Sequence, residues 1–278
     1  MTVLVIGARG HVGKAVLTGL LATGETVRVS SRNPKSGEFP DGVEVVRADL
    51  TKPESFPNLL AGIRKVFLYA NSQAPAEFAA AARKAGVEHI VLLSSNSVLF
   101  PEAETNPIAM LHMQVERALE ESGLDWTCVR PGFFATNTLR WQSIRTERVL
   151  RTAFPEGSTP LVHERDIAAI AARALTDDVH RRKAYLVLGS SPLTVREQVS
   201  AIAEALGEPV RLDEVDVDTY RTELLTQLPE VFVELLIRAR GQVPQVPIEL
   251  RVDSVPELLG RPALTFAEWA NDHVADFR

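Results

Sequence analysis

The sequence has one cysteine, no long run of one charge and no long apolar run. Cys128 alone among 278 residues excludes an internal disulfide framework and a metal site built from several cysteines, as in a reducing compartment. The net charge is -6 without a Lys/Arg-rich run, so nucleic acid is not an expected partner. No apolar run approaches the roughly 18 residues of a membrane span, and no basic leader precedes position 3. A soluble, cytoplasmic protein with no membrane partner is expected.

The first 130 residues alternate short β-branched runs with helical segments, which is the pattern of βαβ units. It predicts an α/β fold: a doubly wound (Rossmann) parallel sheet with a smaller, mainly helical C-terminal part that covers the substrate. The predicted strands are Val3–Ile6, Thr26–Ser30, Val43–Arg47, Lys65–Tyr69, His89–Leu93 and Trp126–Val129. The predicted helices between them are His11–Ala22, Ala76–Ala85 and Ile108–Ser122.

The alternation weakens beyond Pro131. A helix over 163–177, a strand over Ala184–Leu188 and a helix from Thr194 to Leu206 are expected, the last opened by a capping box. The region Val217–Gln242 is predicted to be helical, followed by the irregular VPQVPIEL. We therefore expect a dinucleotide-binding domain over 1–155, with 156–190 able to join its sheet, and a substrate-binding part over 156–278.

Three glycines, Gly7, Gly10 and Gly13, lie between the first predicted strand and the first predicted helix. In this context they permit a tight turn and a close approach of the backbone to a pyrophosphate at the helix N-terminus. Glycines that only make a tight turn are the alternative. A P-loop does not fit, because it needs four residues between its glycines and a Ser or Thr after the lysine, whereas Ala15 follows Lys14.

The end of the second strand predicts which dinucleotide binds. An NAD site usually has a carboxylate there for the ribose 2′-hydroxyl, whereas this strand ends in Ser30, Ser31 and Arg32. A guanidinium beside two hydroxyls suits a 2′-phosphate, and Arg9 adds a second cation. NADP(H) is therefore the expected cofactor, although Arg32 could also be an ordinary solvated charge.

The sequence resembles the atypical, NmrA-like short-chain dehydrogenase/reductases. The resemblance lies in GARGHVG, SSRNP, ADL at 48–50, VEHIVLLSSNSV at 87–98, HMQVERALEESGLDWTCVRPGFFATN at 112–137 and VHERDIAAIAARAL at 162–175. It implies contacts of Asp49 and Leu50 near the adenine, and of Ser94 and Ser95 near the nicotinamide. The predicted cofactor-binding residues are Gly7, Arg9, Gly10, His11, Val12, Gly13, Ser31, Arg32, Asp49, Leu50, Ala70, Asn71, Ser72, Ser94 and Pro131.

The sequence lacks the Tyr-x-x-x-Lys pair that most reductases of this superfamily use to protonate the product. None of its three tyrosines has a lysine four residues later. In the helix expected to carry the pair, the nearest polar residues are His112 and Glu116, one turn apart. Ser95 and His112 are the catalytic candidates, although a helix-face histidine and a serine that contacts cofactor or backbone are equally ordinary roles.

Several aromatic and sulfur-containing side chains follow the fifth and sixth strands. Together with a polar neighbour they predict a wall for an extended flat substrate, although each alone could be ordinary core: Asn96, Phe100, Met110, Met113, Phe133, Phe134 and Trp141. No metal site is expected, because the six histidines form no metal-binding spacing and HERD at 163–166 fits a strand leading into an acid-capped helix.

These features predict an NADPH-dependent carbonyl reductase acting on a polycyclic aromatic ketone. The resemblance extends to ketoreductases of aromatic polyketide pathways, whose substrates can activate their own carbonyl by an internal hydrogen bond. A dinucleotide sensor of the NmrA-like type, which binds NADP(H) and a protein partner without turnover, would equally suit the missing pair. The oligomeric state stays open.

Overall fold

The computed structural model describes residues 2–70, 73–241 and 254–278, which form two compact units. The first unit comprises the described residues of Met1–Gly132, Glu164–Val187 and Arg251–Arg261. The second comprises those of Phe133–His163, Leu188–Leu250 and Pro262–Arg278. The expected boundary after residue 155 lies within the first segment of the second unit.

The strands that the structure describes follow the predicted alternation closely in the first half of the chain. They are β1 Thr2–Val5, β2 Thr26–Ser31, β3 Glu44–Arg47, β4 Lys65–Tyr69, β5 His89–Leu93, β6 Asp125–Pro131, β7 Val149–Thr152, β8 Ser158–Pro160, β9 Lys183–Val187, β10 Pro192–Thr194 and β11 Arg211–Glu214. Seven of them form one sheet in the order β3-β2-β1-β4-β5-β6-β9, with every neighbouring pair parallel. This confirms the predicted doubly wound sheet, and its topological switch point lies between β1 and β4.

The helices of the described residues are α1 His11–Ala22, α2 Phe56–Leu60, α3 Pro75–Lys84, α4 Pro107–Glu121, α5 Gln142–Glu147, α6 Glu164–Thr176, α7 Val195–Leu206, α8 Val217–Leu225, α9 Glu230–Gly241, α10 Ser254–Leu259 and α11 Phe266–Asp272. In the first unit α1 packs against α6, and α3 packs against α4. The central strands are apolar on both faces because helices cover both: Leu4, Val66 and Ile90 have no exposed surface. Strand β9 joins the sheet beside β6, while β8 of the same region pairs with β10 in a separate sheet.

The second unit is mainly helical around two short pairs of strands, β8 with β10 and β7 with β11. Its core includes the fully buried Trp269, stacked on Phe266 at a ring separation of 5.1 Å. The capping box of Thr194 and Glu197 opens α7 as predicted. The region expected to be helical, Val217–Gln242, contains the two helices α8 and α9, which are separate because Pro229 has no N–H to continue α8; Gln242 itself lies outside the described residues. VPQVPIEL lies outside the described residues.

Across the three described stretches, no helix is both long and apolar enough to span a bilayer.

A buried histidine in β5 predicts sensitivity to acid. His89 Nε2 lies 2.8 Å from Thr127 Oγ1, whose hydroxyl donates to the His180 carbonyl at 2.7 Å, and His89 Nδ1 is buried without a partner among the described residues. Burial, and then the charge of Lys65, lowers the pKa of His89 from 6.5 to about 4. The native state therefore holds His89 neutral at a pH where the unfolded chain takes up a proton.

We expect the free energy of unfolding to fall as pH drops from 6.5 towards 4. The unfolded state binds the extra proton in that window, so stability present above pH 6.5 is lost, by about 3 kcal/mol from His89. Urea unfolding across this range measures the slope, and His89→Gln, which keeps a donor for Thr127, should make the slope smaller. Equal slopes for the two proteins would contradict this assignment.

Candidate cofactor and active site

The turn between β1 and α1 is so tight that side chains would not fit at Gly7 and Gly13. Gly7 has a φ of +80°, and the Gly10 N–H donates to the Gly7 carbonyl at 2.9 Å. A Cβ on Gly13 would lie 2.2 Å from that same carbonyl oxygen, so only glycine lets α1 begin this close to the turn. The spacing predicted from the sequence therefore has a steric reason at its first and last positions.

The N-terminus of α1 is available to an anion. Gly10 is the N-cap and provides no side-chain cap, and the first turn contains no acidic residue. The amide groups of this turn and the helix dipole therefore face a site suited to negative charge. In the same turn His11 is exposed and Val12 is buried, so Val12 anchors the helix to the core. This turn fits the pyrophosphate of a dinucleotide.

The polar end of β2 lies beside this turn in the sheet order. Ser31 is buried, and its hydroxyl has no hydrogen-bond partner among the described residues, while Arg32 is exposed. Arg9 does not stand free: its Nη2 donates to Glu38 Oε2 at 2.6 Å and to the Asn33 carbonyl at 2.6 Å. The two predicted cations therefore differ, since one already holds a carboxylate. Glu38 was not identified by the sequence analysis.

The remaining predicted adenine-side and strand-end residues have mainly structural contacts. Asp49 accepts from the Thr51 N–H at 3.0 Å and from its hydroxyl at 2.9 Å, which lowers the pKa of the Asp49 carboxyl. Leu50, Ala70 and Pro131 are buried, with Pro131 at the end of β6. Asn71 and Ser72 lie outside the described residues.

A buried ionic cluster lies beneath the end of β5. The Ser94 hydroxyl donates to Glu116 Oε1 at 2.5 Å, and Arg130 donates to both oxygens of Glu116, at 3.0 Å from Nε and 2.6 Å from Nη2. Glu116 is 6% exposed. Arg130 was not identified by the sequence analysis. The sequence pattern that predicts such a residue is a carboxylate on the buried face of α4, because a buried carboxylate is usually paired with a cation.

Glu116 occupies the helix position at which the superfamily's lysine was sought, and its carboxylate is fully engaged by Arg130 and Ser94. Its two oxygens accept three hydrogen bonds, which fix its position between Arg130 and Ser94. His112 lies one turn earlier, with its Nδ1 buried and without a partner among the described residues. Burial lowers the pKa of His112 from 6.5 to about 4, against the opposing effect of Glu116. At neutral pH His112 is therefore a neutral imidazole, with one donor and one acceptor nitrogen.

Ser95 begins a short 3₁₀ turn over Asn96–Leu99 directly after β5. Its Oγ accepts from the Ser97 N–H at 3.2 Å and from the Ser97 hydroxyl at 2.9 Å. Because both bonds are accepted, they leave the hydrogen of the Ser95 hydroxyl for another acceptor. Ser95 is half-buried, so a ligand carbonyl is one such acceptor.

The residues of the predicted substrate wall fall in both units, and the wall stays a prediction. Met110 and Met113 lie about 160° and about 100° around α4 from His112, and they line a groove between α3 and α4. Phe133, Phe134 and Trp141 belong to the second unit, in which Phe133 is 36% exposed and Trp141 packs against the core. Asn96 and Phe100 flank the 3₁₀ turn after Ser95.

Two of the three tyrosines make contacts with other side chains of their own unit. The Tyr185 hydroxyl lies 2.7 Å from His180 Nδ1 in the first unit, and Tyr220 is buried in the second unit against Phe154. In α6, Asp166 pairs with Arg261 at 2.6 Å, which gives the acidic first turn a structural role.

Comparison with known proteins gives this site a context. A family described as NAD(P)H-binding matches residues 7–178 of the chain. The chain is 36% identical over 280 residues to a (4-alkanoyl-5-oxo-2,5-dihydrofuran-3-yl)methyl phosphate reductase of Streptomyces griseus, with 99% of each covered. It is 32% identical over 286 residues to an NAD(P)H azoreductase of Xenophilus azovorans, again with 99% of each covered.

A solved structure extends the comparison. An NADPH-dependent quinone oxidoreductase of Escherichia coli, complexed with NADPH, superposes with a TM-score of 0.76 at 25% identity and covers 98% of this chain and 99% of its own. None of these three relatives is named for an aromatic polyketide ketone, so that narrower resemblance is left as a proposal. The family match and these reductases, one of them complexed with NADPH, confirm the expected NADP(H) cofactor and the expected class of enzyme, an NADPH-dependent oxidoreductase, and the glycine turn fits both. The chain belongs to the NAD(P)H-binding family, and its sequence resembles the NmrA-like atypical short-chain dehydrogenase/reductases.

Proposed function

We propose that this protein uses NADPH to reduce a conjugated, electron-poor acceptor, and that a polycyclic aromatic ketone with a hydroxyl beside its carbonyl is such an acceptor. The observation that carries the proposal is the state of α4. This helix contains neither a tyrosine to act as the acid nor a lysine to lower the pKa of one. Of its two nearest polar residues, His112 is a neutral imidazole and Glu116 is bound by Arg130 and Ser94.

Bound NADPH supplies a hydride, and the acceptor must then carry negative charge. A conjugated acceptor delocalises that charge, and a neighbouring hydroxyl stabilises it by an internal hydrogen bond. General acid catalysis supplies a factor of about 10²–10⁴, whereas positioning two reactants supplies roughly 7–11 kcal/mol. Positioning is the larger contribution, so such an acceptor can be reduced without a dedicated acid.

The names of the relatives support this class of acceptor. One acts on a dihydrofuranone that carries an alkanoyl group beside its ring carbonyl, one on an azo group and one on a quinone. All three are unsaturated groups that spread incoming charge over several atoms. We infer from this shared chemistry that electron-poor conjugation selects the substrate.

The residues of the first unit then have auxiliary roles. Ser95 donates its hydroxyl hydrogen to the reacting oxygen, while Ser97 holds its Oγ through two hydrogen bonds. His112 donates or accepts one hydrogen bond as a neutral ring. Glu116 acts only indirectly, by fixing Ser94 and Arg130.

Ser95→Ala and His112→Ala are each expected to lower kcat by less than about 10²-fold on a hydroxyl-activated polycyclic ketone. Each variant removes at most one modest hydrogen bond from a reaction that depends mainly on positioning. The matched ketone without the hydroxyl should lose more in kcat with the wild-type protein than either variant loses on the activated one. Steady-state NADPH oxidation, with NADPH Kd values as the control for cofactor binding, tests both.

Abolished turnover in either variant, with NADPH binding intact, would make that residue the general acid and would remove self-activation from the proposal. The missing Tyr-x-x-x-Lys pair also favours a second candidate, a dinucleotide sensor that acts on a protein partner. Tight NADPH binding with no oxidation of NADPH across quinones, azo compounds, unsaturated furanones and polycyclic ketones would favour the sensor.

A further inference from the structure

The loop cation Arg9 is paired with a carboxylate beside the end of β2. In addition to the 2.6 Å contact between Arg9 Nη2 and Glu38 Oε2, Arg9 Nε contacts Glu38 Oε1, so the pair is bidentate. The backbone N–H of Lys35 also donates to Glu38 Oε2, at 3.3 Å. The segment that follows β2 is therefore tied back to the glycine turn through one carboxylate.

Glu38 is paired with the Arg9 guanidinium, which is the group that a 2′-phosphate would bind. A guanidinium recognises carboxylate and phosphate through the same fork of donors, so the two anions compete for Arg9. The hydrogen bond from Arg9 holds the pKa of Glu38 below its usual range, so Glu38 is an anion at neutral pH. Among the residues that the structure describes, Arg32 has no ion-pair partner within 4 Å, so its charge is left for the phosphate.

We propose that Glu38 sets how strongly this site discriminates NADPH from NADH. The inference rests on the proposed NADPH-dependent function and adds a residue that limits its cofactor preference. When NADPH binds, the phosphate displaces Glu38 from Arg9 and lies near a second negative charge. When NADH binds, Glu38 stays on Arg9 and accepts from the ribose 2′-hydroxyl, the role that a carboxylate beyond the second strand has in NAD sites.

Glu38→Gln should move the two affinities in opposite directions. Glutamine keeps the size of the side chain but removes the charge that competes with phosphate, so the NADPH Kd should fall about two- to fivefold, as the modest value of an exposed ion pair implies. The NADH Kd should rise about three- to tenfold, because a neutral amide is a weaker acceptor for the ribose hydroxyl. Titration by cofactor fluorescence measures both constants without turnover.

Asp41→Asn is the matched control, since Asp41 is an exposed acid of the same segment. It makes the same change in net charge and should move both Kd values by one small, shared factor. Equal thermal unfolding midpoints for the three proteins show that the fold is retained. Opposite shifts of the NADPH and NADH Kd values that occur only in Glu38→Gln are then specific to Glu38.

Two results would overturn the inference. One is a Glu38→Gln variant whose ratio of NADH to NADPH Kd equals that of wild type, and the other is an Asp41→Asn variant that changes this ratio as much as Glu38→Gln does. Either result, with a wild type that binds NADPH, removes the role of Glu38 and leaves the proposed function intact. A wild-type protein that binds neither dinucleotide overturns both.

Discussion

Arg32→Asp is expected to reverse or abolish the preference for NADPH, with a change of about 10²- to 10³-fold in the ratio of NADH to NADPH Kd. The wild-type guanidinium is exposed at the end of β2 and has no ion-pair partner among the described residues, so it can approach a 2′-phosphate. Its loss removes a charge-assisted hydrogen bond worth about 1.5–3 kcal/mol, and the new carboxylate repels the phosphate. The same carboxylate can accept from the 2′-hydroxyl of NADH.

Fluorescence titration of both dinucleotides measures this change. Arg64→Asp is the matched control, because Arg64 precedes β4 at the amino ends of the parallel strands, whereas Arg32 follows the carboxyl end of β2, and the substitution changes the net charge equally. That control should leave the ratio nearly unchanged. If wild type binds NADH as tightly as NADPH, or if Arg32→Asp shifts the ratio by less than about threefold, Arg32 does not bind the 2′-phosphate.

Glu116→Ala is expected to lower the free energy of unfolding by about 3–5 kcal/mol. The substitution leaves Arg130, whose side chain is only 19% exposed, without its carboxylate partner, and it removes the acceptor of the Ser94 hydroxyl. An uncompensated charge away from water costs several kcal/mol, whereas removing both partners together is often close to neutral. Most of the loss therefore comes from the stranded arginine.

Urea unfolding of three proteins tests this account: wild type, Glu116→Ala, and a double variant that combines Glu116→Leu with Arg130→Met. The double variant should recover most of the lost stability, because its apolar side chains approximate the volume of the pair. A loss of less than about 1 kcal/mol in Glu116→Ala would contradict a structural role for the pair. An equal loss in the double variant would show that packing, and not charge, is responsible.

The sheet and the glycine turn follow from local features of the chain. Alternating apolar runs and helices predict a parallel sheet, because such strands need crossovers that cover both faces. Gly7 and Gly13 are predictable because their need for glycine is steric and arises within one short turn. The polar end of β2 and the absence of a Tyr-x-x-x-Lys pair can likewise be read from neighbouring residues, so the cofactor class was within reach of the sequence.

The orientation of Met110 and Met113 was also within reach, since helical periodicity places both well around α4 from His112. Helix periodicity is local, so this separation needed no tertiary information.

Other features depend on contacts between residues far apart in the chain. Glu38 reaches Arg9 across 29 residues, and Arg130 reaches Glu116 from a different element. No local pattern specifies such pairs, because each side chain alone is compatible with a solvated surface position. The sequence by itself determined a dinucleotide turn, a cation directly after β2 and the absence of a Tyr-x-x-x-Lys pair. Only the tertiary structure decided that one of the two cations already holds a carboxylate and that Glu116 is engaged, because packing chooses which distant charges meet.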